Sequence, residues 1–173
     1  MELTRSLRDG TKKGTLLELL DKTLTAMGAR LLRRWIEEPL QDVWEIGARL
    51  DAVEELMRGV ALAQGLKEAL GGIYDIERLI TRVAYASVNA RDLLALAQSL
   101  KALPAVADAL KDASSDLLQT LLKDLDTLED VAGLIERAVD PGAPAGVRDG
   151  GIIRAGYDAQ IDALRDAAAG GKK

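Results

Sequence analysis

The side chains best suited to chemistry here are carboxylates, because the 173-residue sequence contains neither histidine nor cysteine. Without these residue types, an ordinary zinc site, a Ser-His-Asp triad and a Cys-His pair are all excluded. Two adjacent carboxylate pairs remain, Glu37-Glu38 and Glu54-Glu55. Neighbouring residues on a helix point about 100° apart, so neither pair converges on one substrate atom. We interpret both pairs as solvated surface and predict that the chain is not an enzyme.

Phosphate-binding motifs are also missing from the sequence. It has no Gly-x-x-x-x-Gly-Lys-Ser/Thr loop to cradle phosphates and no Gly-x-Gly-x-x-Gly turn for a dinucleotide. We therefore predict no catalytic residue, no metal site and no cofactor-binding residue in this chain.

Three arginines form the most distinctive basic feature. Arg30, Arg33 and Arg34 have i, i+3, i+4 spacing, which places three guanidiniums on one side of a helix. One interpretation is a basic interface that contacts phosphates or an acidic partner surface. The other is a solvated face with ion pairs to Glu37 or Glu38, and we favour it because exposed charges usually behave this way.

The overall charge is not that of an autonomous DNA-binding domain. The net charge is −5, whereas such domains are usually basic. Residues 1–34 nevertheless hold eight Lys or Arg against four Asp or Glu, and acidic residues dominate the stretch 37–55. This asymmetry either orients the chain beside a charged partner or reflects solvated helix faces.

The composition predicts an all-α fold. Hydrophobic residues make up 48% of the chain, but aromatics only 3%, with no Phe. A core of Leu, Ala, Ile and Val suits packed helices better than sheets. No apolar run approaches the roughly 18 residues that span a bilayer, and no signal-peptide stretch follows the N-terminal charges. We expect no membrane partner and a cytoplasmic location.

Apolar spacing predicts an irregular bundle of about six to seven helices, with a Pro/Gly-rich loop before the last one. The predicted segments are an extended lead-in at 1–13, a helical core at 14–139, the loop at 140–157 and a final helix at 158–173. The predicted N-caps are Thr25, Asp42, Asn89 (with Asp92 in a capping box), Ser115 and Asp158. Pro39 and Pro104 are predicted to end helices.

Several helices have a face that we expect to turn inward. In the second and third helices these residues are Met27, Leu31, Leu32, Trp35, Ile36, Ile46, Leu50, Val53, Leu56 and Met57. Glycines from Gly59 to Gly72 predict a looser region. One long amphipathic helix is predicted from Ser115 to Ile135. Trp35 and Trp44 are each predicted in the core or at a helix junction, and Tyr157 is expected to anchor the final helix.

Several motifs follow one another in an order that is typical of a known family. The strongest spans residues 20–35 with the pattern Leu-Asp-x-Thr-x-Thr-x-Met-Gly-x-Arg-Leu-Leu-x-x-Trp. The match continues at Asp75-Ile76-Glu77-Arg78-Leu79, Ala90-Arg91-Asp92-Leu93 and residues 148–158. With these motifs, nearly the whole chain resembles the core domain (domain III, the lever base) of the MutS family of DNA mismatch-repair ATPases.

The resemblance implies a structural and allosteric role. In that family this segment connects the mismatch-reading and connector domains to the DNA clamp and ATPase domains, and it passes nucleotide-state changes between them. ATP, Mg, mismatched double-stranded DNA and a homodimeric assembly are implied for the parent protein, whose other domains are the implied partners. The motif positions with implied structural roles are Asp21, Thr23, Thr25, Met27, Gly28, Trp35, Asp51, Arg78, Arg91, Asp92, Gly156, Tyr157 and Asp158.

The sequence departs from the family pattern near its end. Ala155 and Ala159-Gln160 stand where the family has acidic residues, and the mismatch-reading Phe-x-Glu motif is missing. The helix that begins at Asp158 is a long lever in the family, but here it runs into Ala-rich sequence. We therefore expect a fragment that contains only the start of the lever.

Two other functions remain open on the residues alone. A free-standing helical adaptor would present an exposed apolar groove to protein partners. An autonomous DNA-binding module built on residues 5–34 would bind with an affinity that falls steeply with salt.

Overall fold

The structure is a computed structural model that describes residues 2–144 and 146–170, without the side chain of Val147. Over these residues the fold is all-α, as predicted from composition. The elements are α1 (Leu16–Leu20), α2 (Ala26–Glu37), α3 (Val43–Arg58), α4 (Val60–Leu70), α5 (Ile76–Ala84), α6 (Ala90–Leu110), α7 (Asp116–Asp124), α8 (Glu129–Ala138), a 3-10 helix (Val147–Asp149) and α9 (Ala159–Gly170). The end of the predicted final helix, at 171–173, lies outside the described residues.

The chain divides into two compact units. The first comprises Met1–Asp75 and Ala102–Thr127, and the second comprises Ile76–Lys101 and Leu128–Lys173. In the first unit α3 packs against α4 and α7. Its core consists of Ala52, Leu110, Ala113 and Leu118, with Leu56, Leu62, Leu66, Val106, Leu117 and Leu122 packed around them.

The second unit has its own buried residues and a short backbone pairing. The buried hydrophobic side chains are Leu79, Ala90, Leu96, Ala97, Leu100, Ala132, Ile135, Val139 and Ala143. An antiparallel bridge joins Val139, just before the predicted Pro/Gly-rich loop, to Ile153 within that loop. The guanidinium of Arg165 in α9 donates to the carbonyl of Ile153 at 2.6 Å. These bonds attach α9 to the end of α8.

Four of the five predicted helix caps are confirmed, whereas the side chain of Ser115 makes no capping hydrogen bond. Thr25, Asp42 and Asp158 each accept hydrogen bonds from N–H groups of the helix that follows. Asn89 and Asp92 form the predicted capping box: each side chain accepts from the other's N–H, at 2.9 and 3.3 Å. Such caps satisfy backbone donors that the first turn leaves free.

Two differences explain why the described residues contain nine helices rather than six to seven. The expected looser region forms α4, because Leu62 and Leu66 pack on the first core and outweigh the helix cost of Gly65. The expected long helix from 115 to 135 is two helices, α7 and α8. The break contains Leu128, which adopts a left-handed conformation with φ +49°.

Helix α6 does not end at Pro104, as the sequence suggested, but continues to Leu110. A proline inside a helix removes one hydrogen bond and costs about 3 kcal/mol. Val106 and Leu110, which follow the proline, lie in the first core. Their burial offsets this cost and keeps the segment helical.

Helix α6 is, among the described residues, the one helix long and apolar enough to cross a membrane by length and composition, with a mean hydropathy of 1.4. The expectation that no run approaches this length was therefore too strong. A single helix of this kind is weak evidence for a membrane span, because the core helix of a soluble protein passes the same test. Leu96, Ala97 and Leu100 of α6 are buried within the protein.

A stabilising substitution is expected after α5. Ala86 has φ +50°, and hydrogen bonds from Ala86 N–H to the Val83 carbonyl and from Ser87 N–H to the Arg82 carbonyl close the helix end. Glycine adopts this conformation without the steric cost of a Cβ, so Ala86→Gly should raise the free energy of unfolding by about 0.5–1 kcal/mol. Urea denaturation measures this change.

The matched control for Ala86→Gly is Ala105→Gly, an exposed position inside α6. There glycine should lower the free energy of unfolding by about 1 kcal/mol. The same sign for both substitutions would mean that position 86 is not left-handed.

Candidate functional site

The joint between α1 and α2 is built from the motif residues at 21–28. One carboxylate oxygen of Asp21 accepts from the N–H and the hydroxyl of Thr23, at 3.2 and 2.6 Å, and the other is ion-paired with Lys12. The hydrogen bonds from Lys12 and Thr23 lower the pKa of Asp21 to about 2. A Cβ at Gly28 would lie 3.1 Å from the Oγ1 of the capping Thr25. This motif therefore fixes the start of α2.

The arginine triplet of α2 is largely engaged in ion pairs. Arg30 forms a bidentate pair with Asp75, at 2.8 and 2.6 Å, across 45 residues of sequence. The Nε of Arg33 lies 2.9 Å from Glu37, as the interpretation with ion pairs predicts. The side chain of Arg34 is exposed. Bidentate geometry makes Arg30 a positioning element for the chain just before α5.

Asp92 has two roles at the start of α6. Besides the capping box, one of its oxygens lies 2.6 Å from the guanidinium of Arg82 in α5. The hydrogen bond from Arg82 lowers the pKa of Asp92 below its usual range, and that of the Asn89 N–H adds to this effect. The carboxylate of Asp92 therefore joins α5 to α6 and also caps the start of α6.

Sequence reasoning treated Glu55 of α3 as solvated surface and missed the three hydrogen bonds that it accepts. Its oxygens accept from the N–H and hydroxyl of Ser114, at 2.5 and 2.9 Å, and from the N–H of Ser115 at 2.8 Å. The Ser115 hydroxyl, then these N–H groups, lower the pKa of Glu55 to about 2. Ser115 was expected to cap α7, but its side chain makes no capping hydrogen bond. No local pattern signals this cap, because Glu55 is about 60 residues away.

Both tryptophans lie at the surface, not in the core. Trp35 is 40% exposed and Trp44 is 86% exposed. The guanidinium of Arg49 lies 3.8 Å from the ring centre of Trp35, a cation–π contact between α3 and α2. Tyr157 is also exposed, at 45%, so its expected anchoring of α9 is not a burial effect.

The inward faces predicted for α2 and α3 are mostly exposed. Helix α2 has no buried residue, and Leu31 is 45% exposed. In α3 only Leu56 of the predicted set packs on the core, whereas Leu50 and Met57 are 62% and 77% exposed. The spacing correctly identified apolar faces on these helices, but it does not show which face packs against the core.

The remaining motif residues are dispersed. Met27 is half-buried, Asp51, Arg78 and Arg91 are exposed, and Gly156 has φ +82°. In the ranges that the structure describes, no group of three or more metal-ligating side chains comes together. The motif residues form separate caps and joints rather than one reaction centre.

These observations define a class: an all-α module whose sequence motifs build helix joints, caps and ion pairs. Comparison with known protein families gives MutS domain III as a match over residues 1–169. The chain belongs to the MutS domain III family.

Curated relatives agree with this assignment. The chain is 47% identical over 99% of its length to DNA mismatch repair protein MutS of Desulforamulus reducens, and 49% identical over 99% to that of Symbiobacterium thermophilum. It is 46% identical over its full length to the protein of the same name from Clostridium botulinum. It spans about a fifth of these relatives, 20%, 20% and 19% respectively.

Proposed function

We propose that this chain is the structural and allosteric connecting domain of a MutS-like mismatch-recognition ATPase. In this role it links the mismatch-reading and connector domains to the DNA clamp and ATPase domains. The observation that carries the proposal is the family match over residues 1–169, in a chain that spans about a fifth of relatives named for mismatch repair. The same observation favours this role over that of a free-standing adaptor.

The proposed role is mechanical, and long-range ion pairs within each unit support it. Arg30 and Asp75 join distant parts of the first unit, and Lys101 and Glu136 do so in the second at 2.7 Å. The chain passes from one unit to the other at three points, after Asp75, after Lys101 within α6, and after Thr127. Two distant binding sites are coupled when an element between them has two arrangements and the ligand at each site favours one of those arrangements.

Binding and catalysis belong to the rest of the parent protein in this proposal. ATP and Mg bind in its ATPase domain, mismatched double-stranded DNA is held by other domains, the parent forms a homodimer, and its location is cytoplasmic. The net charge of −5 supports DNA contact being made mainly elsewhere.

The test is made in the parent protein, on the Arg30–Asp75 pair. Coupling is the ratio of the Kd values for a mismatched duplex with and without ATP. We expect Arg30→Ala to reduce this ratio several-fold, because the pair holds α2 to the chain before α5. Asp75→Ala should give the same loss, and the double variant should lose no more.

The control is Arg34→Ala, an exposed arginine on the same helix. It should leave the ratio unchanged. If Arg30→Ala and Asp75→Ala fold normally and keep the full ratio, the proposed coupling through this domain is wrong.

A further inference from the structure

The tripeptide Arg-Asp-Gly occurs twice in the chain, at residues 8–10 and 148–150. An aspartate followed by glycine is prone to a slow rearrangement of its own backbone, because glycine has no Cβ to shield its amide nitrogen. Asp9 and Asp149 are both exposed. Since the two sites share the tripeptide and the exposure, a difference in their reactivity has to come from the fold.

The rearrangement converts aspartate into isoaspartate, and water is its only co-reactant. The glycine nitrogen attacks the protonated side-chain carboxyl at Cγ, and the new C–N bond closes a succinimide ring. The carboxyl hydroxyl and the amide proton leave together as water. A water molecule then attacks the main-chain carbonyl of the ring and breaks its original C–N bond. The chain now runs through Cγ, with no atom gained or lost.

At Asp9 the fold restrains the reacting carboxyl. One carboxylate oxygen accepts from the N–H and the hydroxyl of Thr11, at 3.0 and 2.8 Å. These two hydrogen bonds are the main cause of a pKa of Asp9 below its ordinary value, so the protonated form that closes the ring is rarer. Turning Cγ toward the nitrogen of Gly10 also has to break them. Asp9 is therefore protected.

At Asp149 the carboxyl has no comparable restraint. Among the residues that the structure describes, no hydrogen bond or ion pair holds its carboxylate. Gly150 and Gly151 follow with φ +70° and +67°, and a Cβ built on either would meet no atom within 4 Å. Two glycines in open space allow the backbone to rotate until the nitrogen of Gly150 faces Cγ. The fold therefore leaves this site free to react.

The product would alter the backbone beside the attachment of α9. Isoaspartate adds one methylene group to the main chain, because the chain then passes through the side chain. Shortly after position 149, the carbonyl of Ile152 accepts from the N–H of Asp140 at 2.8 Å. The N–H of Arg154 donates to the carbonyl of Ala138, also at 2.8 Å. A longer backbone shifts these two bonds, which pair the end of α8 with the segment that leads into α9.

We propose that Asp149–Gly150 is a site of spontaneous isoaspartate formation, and that the modified backbone loosens the attachment of α9 to α8. Asp9–Gly10 carries the same tripeptide but is protected by Thr11. This inference goes beyond the proposed function and is independent of it, since it requires only water and residues of this chain.

The test ages the 173-residue chain in mildly acidic buffer and measures isoaspartate in the peptides that carry each tripeptide. Mass spectrometry with electron-transfer fragmentation distinguishes the two backbone linkages, which have equal mass. Isoaspartate at position 149 should form at least about fivefold faster than at position 9. In urea the two rates should converge, because the hydrogen bonds to Asp9 are then lost.

Two matched variants connect the modification to α9. Asp149→Glu keeps the charge, but its longer side chain closes a ring only slowly. After ageing, the amides of Asp140 and Arg154 should exchange hydrogen faster in the wild-type chain and unchanged in Asp149→Glu. The control, Asp9→Glu, should age in the same way as the wild type.

Three results would overturn the proposal. Equal isoaspartate at both positions of the folded chain would mean that Asp149 is not a preferred site. A ratio that is the same in urea as in the folded chain would assign the preference to sequence rather than to the fold. Isoaspartate at position 149 with unchanged exchange at Asp140 and Arg154 would mean that α9 is not loosened.

Discussion

Leu118→Ala should lower the free energy of unfolding of this chain by about 2–5 kcal/mol, the usual cost of truncating a buried leucine. Leu118 of α7 is 6% exposed and packs in the first core with Ala52, Leu110 and Ala113. Its removal leaves a cavity among residues that are fixed on three different parts of the chain, so collapse around it is limited. Urea denaturation followed by far-ultraviolet circular dichroism measures the change.

The matched control for Leu118→Ala is Leu50→Ala, the same chemical change on an exposed face of α3. Leu50 is 62% exposed, and alanine is a slightly better helix former, so the free energy of unfolding should change by less than about 0.5 kcal/mol. Equal losses for the two variants would mean that α3 turns Leu50 inward, as its spacing alone suggested.

This pair of leucines also shows where sequence reasoning ends. Both lie in helices that were predicted to be amphipathic, and Leu50 was expected inside. Periodicity reports that a helix has an apolar face, but not whether the partner of that face lies within the same unit. In α3 the core takes Ala52 and Leu56, whereas Leu50, Val53 and Met57 are exposed.

Features set by neighbouring residues could be predicted, and features set by distant residues could not. The Thr25 cap and the Asn89–Asp92 capping box depend on atoms within three residues, so the sequence identifies them. The ion pair of Arg30 with Asp75 joins positions 45 residues apart. Neither partner is marked as such by its surroundings in the sequence, and only the folded chain pairs them.

A loss of stability in acid is expected from the Glu55 cap on α7. The pKa of this carboxyl falls from an ordinary 4.5 to about 2 in the folded chain, because the Ser115 hydroxyl and the N–H groups of Ser115 and Ser114 favour its charged form. A lowered folded pKa means that the charged carboxylate stabilises the fold above about pH 4.5, and that this contribution is lost as the pH falls toward 2. Glu55→Gln should therefore lower Tm by several degrees at neutral pH.

The pH dependence separates the charge of Glu55 from its packing. The Tm values of the wild-type chain and Glu55→Gln should converge as the pH falls from 4.5 to 2, because protonation removes the same charge that the substitution removes. Glu54→Gln is the control, since the neighbouring Glu54 is paired with Arg58, one turn away on the surface of α3. Its Tm should stay close to that of the wild type at every pH.

A difference for Glu55→Gln that persists unchanged down to pH 2 would assign the role of Glu55 to side-chain packing. Convergence would establish that a carboxylate of α3 caps α7 through its charge, and so holds two helices together across the first unit.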